Sequence, residues 1–235
     1  GDANLSQAHI NKADSPEACL KYADLSGAEL KSTNLSNTNI KNADLSEANI
    51  KYANLSDADL QYANLSKAKL QRADLSEADL GGASLCQADL KHSNLSKITI
   101  RSSKKMFIKN DLERESYNAD FSGADLRDAN LSEVNLARAR LPHANLKFSD
   151  LSNKDIRGAN LSKAELNHAD LSKSNLENAD LCGTDFPNAT AKSTNFRYAN
   201  FGESNTDHPP TDLENAILRS ADLRGSEFTD ARLDQ

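Results

Sequence analysis

The sequence predicts an all-β chain wound as a parallel solenoid with short sides. Three observations carry that prediction. Leu or Ile recurs at every fifth residue from Leu5 to Ile100, with Ser15 the single exception. A small residue stands two places before nearly all of them: Ala at Ala3, Ala8, Ala13, Ala18, Ala23 and Ala28, Thr at Thr33 and Thr38, then Ala again through Ala88, with Ser93 and Ile98 closing the tract. The place between the two is mostly Asp or Asn, and the two places that follow are polar or charged. Below, the large residue is position i.

A period of five is neither 3.6 nor 2, so neither an amphipathic helix nor a long flat strand accounts for it. A chain that turns a corner every five residues does. The large residue at i and the small one at i−2 then point inward, and Ala is favoured at i−2 because a larger side chain would overpack a narrow interior. The other three places face water. Coils stack at the spacing of hydrogen-bonded strands, ~4.8 Å, and bury a core that no single coil could bury alone.

The units Ala43-Asp44-Leu45-Ser46-Glu47, Ala53-Asn54-Leu55-Ser56-Asp57 and Ala73-Asp74-Leu75-Ser76-Glu77 resemble the pentapeptide-repeat family residue by residue. The resemblance runs over almost the whole chain. It implies a right-handed quadrilateral parallel β-helix, four five-residue sides to each coil. Against that frame a ten-residue period becomes meaningful. Ser follows i at Ser26, Ser36, Ser46, Ser56, Ser66 and Ser76, while Lys21, Lys31, Lys41, Lys51, Gln61 and Gln71 hold that place in the alternate units. Opposite faces should therefore look alike. These stripes read as a solvated surface or as a recognition face.

Three tracts are expected within a single solenoid over residues 1–235: 3–100, 119–206 and 211–233, holding 20, 18 and 5 units. A long excursion loop, 101–118, separates the first two, and a short loop, 207–210, the last two. The long loop is locally basic around Met106, Phe107 and Ile108. It either folds back over the coils through those apolar side chains or serves as a partner-binding loop. Pro209 and Pro210 cannot donate to a ladder, so the short break should bulge outward. Lys154 falls at i−2 and should either reach out toward water or distort the corner. Phe186, Phe196 and Phe201 should share volume around the undersized Ala191.

Several function classes find no support. The formal charge is −7, with acidic and basic residues interleaved, so no basic nucleic-acid footprint is visible and direct nucleic-acid binding is not expected. No apolar run reaches the length of a membrane span. Cys19, Cys86 and Cys182 are too far apart for metal-ligand spacing or a disulfide framework. His9, His92, His143, His168 and His208 fall at outward or loop positions. No catalytic, cofactor-binding or metal-binding residue is assigned, and no cofactor is expected. An interior packed with Leu and Ala leaves no reaction pocket, so the chain is not expected to be an enzyme.

The expectation is a non-enzymatic structural scaffold or protein-binding module presenting flat solenoid faces. Its partner would be a protein, met at a sparse aromatic and basic surface of Lys104, Lys105, Phe107, Tyr22, Tyr52, Tyr62, Phe148 and Tyr198. Open ladder ends would allow end-to-end self-association. The alternative rests on the family resemblance: some pentapeptide-repeat proteins mimic duplex DNA and modulate DNA gyrase. The compartment is open. The only methionine is Met106, so an N-terminal signal could have been lost; a cytoplasmic location is slightly favoured over a secreted or lumenal one.

Overall fold

A computed structural model describes residues 3–100, 118–202, 210–229 and 231–232. Away from the breaks, residues before position i pair in parallel with their counterparts twenty residues on: Asn4 with Asp24, Asp24 with Asp44, Asn34 with Asn54 and Asn160 with Asp180. Twenty residues hold four repeats, so each coil has four sides and four turns. The chain divides into two compact units. Unit 1 comprises Gly1–Asp125 with Ala129–Val134, and unit 2 comprises Leu126–Asp128 with Asn135–Gln235. The boundary between the two units falls near residues 126–135.

Why this five-residue unit repeats is answered by following its five backbone N–H groups, taking Ala53–Asp57. Ala53 donates to the Ile50 carbonyl at 3.2 Å and closes the preceding turn. Asn54 donates to Thr33 of the coil before at 2.9 Å. Leu55 and Asp57 donate to Asp74 and Ser76 of the coil after, at 2.6 and 2.9 Å. That leaves Ser56, whose N–H has no backbone acceptor and donates to Oδ1 of Asn54 at 2.9 Å. Buried or half-buried backbone donors must be satisfied, and a short side-chain oxygen two residues back does this for the fifth one. This is the physical reason for Asp or Asn at i−1. The same bond recurs at Ser26 to Asp24, Ser76 to Asp74 and Ser162 to Asn160. At Asp24 the backbone N–H and the hydroxyl of Ser26 together hold the carboxyl below its ordinary range.

Replacing Asn54 by Ala should orphan the Ser56 N–H and cost about 1 kcal/mol, whereas Asn54→Asp should be nearly neutral. Urea midpoints of the two variants check this. Equal midpoints for wild type and Asn54→Ala would show that water serves the turn as well as the side chain does.

The second turn residue, i+2, has a left-handed backbone at each described turn, with φ between 54° and 73°. With the i−2 N–H of the next repeat closing a four-residue turn, this is type II geometry. Non-glycine residues resist that region, yet Lys, Glu and Tyr all occupy it here. Their N–H bonds to the following coil, 2.9 Å at Gln7 and 3.1 Å at Tyr52, hold them there.

The core follows the pattern closely. Leu25, Leu45, Leu55, Leu65 and Leu75 are completely buried, and Ala23, Ala48 and Ala63 nearly so. Burying one such Leu is worth roughly 1.5–3 kcal/mol. Where Thr or Ser replaces Ala at i−2, its hydroxyl donates to a neighbouring main-chain carbonyl: Thr33 to Leu30 at 2.6 Å, Ser93 to Leu90 at 2.6 Å and Thr194 to Leu171 at 2.7 Å. Lys154 is half-buried, and its carbonyl still accepts the Asn175 N–H at 2.8 Å. In unit 2, Phe201 lies 5.3 Å from Phe196, 6.1 Å from Phe186 and 4.5 Å from Phe228, ring centre to ring centre. Ala191 nearby in sequence is buried as well.

Both breaks leave the ladder in phase. Ser84 pairs with Asp120, 36 residues on, and Asp89 and Asn94 pair with Asp125 and Asn130 at the same offset. The Ala119 N–H donates to the Ile100 carbonyl at 2.7 Å, the bond that Ala83 makes to Leu80 across an ordinary two-residue turn. Residues 101–118 thus stand where two residues stand elsewhere. The expected docking of Phe107 or Ile108 lies outside the described residues. Replacing 101–118 by a Ser-Gly turn should leave unit 1 folded and raise its unfolding free energy by up to about 2 kcal/mol through loop-closure entropy. A loss of more than about 1 kcal/mol in a denaturant titration would mean those residues brace the coils.

At the second break Asp185 pairs with Asp212, 27 residues on. The position stacked on Phe186 is therefore Leu213 and not Thr206, which lies outside the described residues. The second tract ends at Phe201, and the interruption is longer than the expected 207–210. A hydrophobic residue that resumes the core outweighed the five-residue count, which had carried the register through to Thr206.

Candidate functional site

The five aromatic residues singled out from the sequence all occupy the second turn position, with φ of 61° at Tyr22, 60° at Tyr52, 58° at Tyr62, 62° at Phe148 and 57° at Tyr198. They do not form one face. Tyr22 and Tyr62 share one corner of unit 1, two coils apart, and Tyr52 sits on the diagonally opposite corner. In unit 2, Phe148 and Tyr198 likewise fall on opposite corners. Lys104, Lys105 and Phe107 lie outside the described residues.

Four of the rings lie over the next coil. Tyr52 is 6.0 Å from the Arg72 guanidinium, and Phe148 stacks on His168 at 5.0 Å with 4° between planes. Tyr62 covers Gly82, where a Cβ would come within 2.6 Å of the ring, and Tyr198 covers Gly225 in the same way at 2.5 Å. Glycine is required at these two places both by the left-handed backbone and by the ring above. Cations approach from the same or the preceding coil: Lys21 to Tyr22 at 4.8 Å, Lys31 to Tyr52 at 5.7 Å, Lys41 to Tyr62 at 5.8 Å and Arg197 to Tyr198 at 5.3 Å. Much of each ring's π-face is thus engaged inside the protein, though Phe148 remains 63% exposed and Tyr52 49%.

A surface that the ten-residue period concealed emerges when the turn residues are sorted by twenty. One corner of unit 1 carries Lys12, Lys31, Lys51, Arg72 and Lys91 on successive coils, with Tyr52 and His92 among them. Its diagonal counterpart carries Lys21 and Lys41 and then Gln61 and Gly81. The two Lys/Gln stripes are therefore unequal. The sequence held the signal, but averaging opposite faces erased it.

Unit 2 has a shallow open hollow of about 410 Å³ lined by His143, Lys163, Glu165, Asp185, Asp212 and Arg232, among others. Lys147 Nζ reaches Glu165 Oε2 at 2.6 Å. Among the described residues no group of three His, Cys, Asp or Glu side chains is placed to hold a metal ion, and no helix is long and apolar enough to cross a membrane. Cys86 is half-buried, Cys182 buried and Cys19 exposed, and no disulfide joins them.

Coils of four five-residue sides, a Leu and Ala interior and turn-capping Asp or Asn define a parallel β-solenoid scaffold. The family model for pentapeptide repeats matches eight times, over residues 1–37, 38–76, 68–104, 119–153, 141–178, 155–188, 174–205 and 204–235. The chain belongs to the pentapeptide-repeat family, and its fold is the right-handed quadrilateral β-helix of that family. Members are generally non-catalytic scaffolds, in agreement with the expectation that the chain is not an enzyme. Comparison with curated proteins gives no match.

Among solved structures the chain is similar to HetL, a pentapeptide repeat protein involved in heterocyst differentiation regulation from the cyanobacterium Nostoc sp. strain PCC 7120. Identity there is 32%, over 99% of this chain and 90% of that one, with a TM-score of 0.46. Rfr23 from the cyanobacterium Cyanothece 51142 matches at 19% identity over 60% of this chain and 89% of its own, with a TM-score of 0.41. A trypsin-treated form of QnrB1, a plasmid-mediated fluoroquinolone resistance protein, matches at 17% identity over 93% and 90%, with a TM-score of 0.46.

Proposed function

We propose that the chain is a rigid, non-enzymatic scaffold that binds protein through its outward turn and side positions. The observation that supports this reading is the closed hydrogen-bonding of the repeat. All five N–H groups of a unit such as Ala53–Asp57 are satisfied within the coils, and the interior is filled. Backbone and core are thereby fixed, and the sequence is free to vary only at outward places held at ~4.8 Å intervals. Such a surface suits recognition of another macromolecule better than chemistry on a small one.

The test is a scan of outward triple substitutions, one corner or side at a time, with capture from native extract. A specific partner lost on one surface and kept on the others is the expected result. If each surface can be altered without changing what is captured, the reading fails. The DNA-mimic alternative needs a continuous acidic surface, and the five cations along one corner of unit 1 interrupt it. Gyrase supercoiling measured with and without the protein, in the presence of a quinolone, separates the two readings.

A further inference from the structure

We propose that the corner of unit 1 formed by Lys12, Lys31, Lys51, Arg72 and Lys91 is a docking ridge for an extended acidic segment of a partner protein. The inference rests on the scaffold reading and assigns that reading a surface and a partner chemistry.

The first observation is charge. On a chain of net charge −7, five successive coils each place a cation at this corner, and no turn residue between Asn11 and His92 on it is acidic. The second is that no described carboxylate pairs with these cations, of which Lys31 and Arg72 approach only the Tyr52 ring. Elsewhere in unit 1, Lys67 reaches Glu47 at 3.8 Å, Lys97 reaches Glu77 at 3.4 Å, and Lys41 donates to Gln61 Oε1 at 2.6 Å. None of the five ridge cations makes an ion pair with a described residue. The carboxylates on the adjoining sides are already engaged: Asp14 by the Asn34 amide at 2.8 Å, Glu29 by the Asn49 amide at 2.7 Å, Asp74 by the Ser76 N–H and the Asn94 amide at 3.0 Å each, and Asp89 by the Lys91 N–H and the Gln71 amide. Those hydrogen bonds hold the neighbouring carboxylates, still charged, to the sides of the coil and leave the corner itself lined by cations.

The third observation is order. Tyr52, half-exposed, stands between Lys31 at 5.7 Å and Arg72 at 6.0 Å, so the ring restrains both cations and offers an apolar edge midway along the row. From Lys12 to Lys91 the ridge spans four coil intervals, about 19 Å, which about six residues of extended peptide would cover.

Width selects the partner. The next corner, one three-residue side away, carries Glu17, Asp57 and Glu77, the last of them paired with Lys97. A single strand of carboxylates can lie along the ridge alone. A duplex would bring its second line of phosphates over those acids, and like charges in apposition cost binding.

The experiment uses the full chain and a fluorescent, glutamate-rich peptide of about eight residues, followed by anisotropy at about 50 mM salt and again at about 1 M, where screening acts within about 3 Å. The expected result is binding at low salt that disappears at high salt. Lys31→Glu, Lys51→Glu and Lys91→Glu together should weaken binding at least about tenfold. Lys21→Glu, Lys67→Glu and Lys97→Glu together carry the same change in net charge and should weaken it no more than about threefold. The corresponding Lys→Gln triple replaces the first variant if circular dichroism shows that it does not fold. Absence of binding at low salt overturns the ridge, as do equal effects of the two triples. So does tighter binding of a single-stranded oligothymidine of similar length that the ridge triple abolishes. The capture scan can still succeed through another surface when the peptide measurement fails, so failure of the ridge and failure of the scaffold reading are separable.

Discussion

Leu55→Lys is expected to abolish the folded state of unit 1, while Ser56→Lys, one residue away, is expected to change stability by no more than about 0.5 kcal/mol. Leu55 has no exposed surface. The substitution removes a buried leucine, which costs about 2–5 kcal/mol on the large-to-small scale, and sets an ammonium in a core built of Leu and Ala side chains, which costs several more. The sum is comparable with the whole stability of a domain of this size. Ser56 points outward, and its N–H bond to Asn54 uses only the backbone, so a lysine there keeps that bond. Far-ultraviolet circular dichroism and urea midpoints decide the matter. Similar midpoints for the two variants would mean that the inward and outward positions are misassigned.

Phe201→Ala is expected to cost about 3–5 kcal/mol in unit 2. Phe201 is fully buried, touches Phe196 and Phe186 at tilted ring angles of 59° and 42°, and stacks on Phe228 at 9°. Removing the central ring leaves three others without their common neighbour. Hydrogen exchange at the amides of Phe186 and Phe201, which donate to Asp212 and Glu227, should report the loss as faster opening. A variant within about 1 kcal/mol of wild type would show that the rings can close over the space.

Much of this architecture is legible in the amino-acid order because one residue type does one job at one place. Leu at i and Ala at i−2 are a volume pattern, and volume decides which way a side chain points. What escaped the reading has physical causes. In the sequence alone Asp and Asn at i−1 read only as polarity facing water, because a turn N–H with no backbone acceptor becomes visible only when every donor of the repeat is followed. The left-handed second turn residue escaped for a related reason. Glycine or asparagine announces it at places such as Gly27, Gly82, Asn37 and Asn42, but Tyr52, Glu77 and Lys97 are held there by bonds to the next coil and carry no local signature. The five-residue count puts Thr206 at i, whereas the chain resumes its core at Leu213. The aromatic residues are where the count puts them, but five residues at one repeat position scatter over different corners, and only the twenty-residue sort separates them. That sort is also what brings Lys31, Lys51 and Lys91 into line.

The bond from Ala119 to Ile100 has a consequence for how such a chain can change over time. An insertion in a helix rotates everything after it, and one in a strand turns its far half inside out. Here a parenthesis opened at a corner leaves the text on both sides unshifted, whatever its length: neither sixteen extra residues nor seven is a multiple of five, and the ladder resumes in step after each. Every corner is thus a point of free punctuation. Segments can be gained, lost or exchanged there by single genetic events without new compensating mutations in the core, and a peptide grafted between Ile100 and Ala119 should be displayed on unit 1 with its two ends held a turn's width apart.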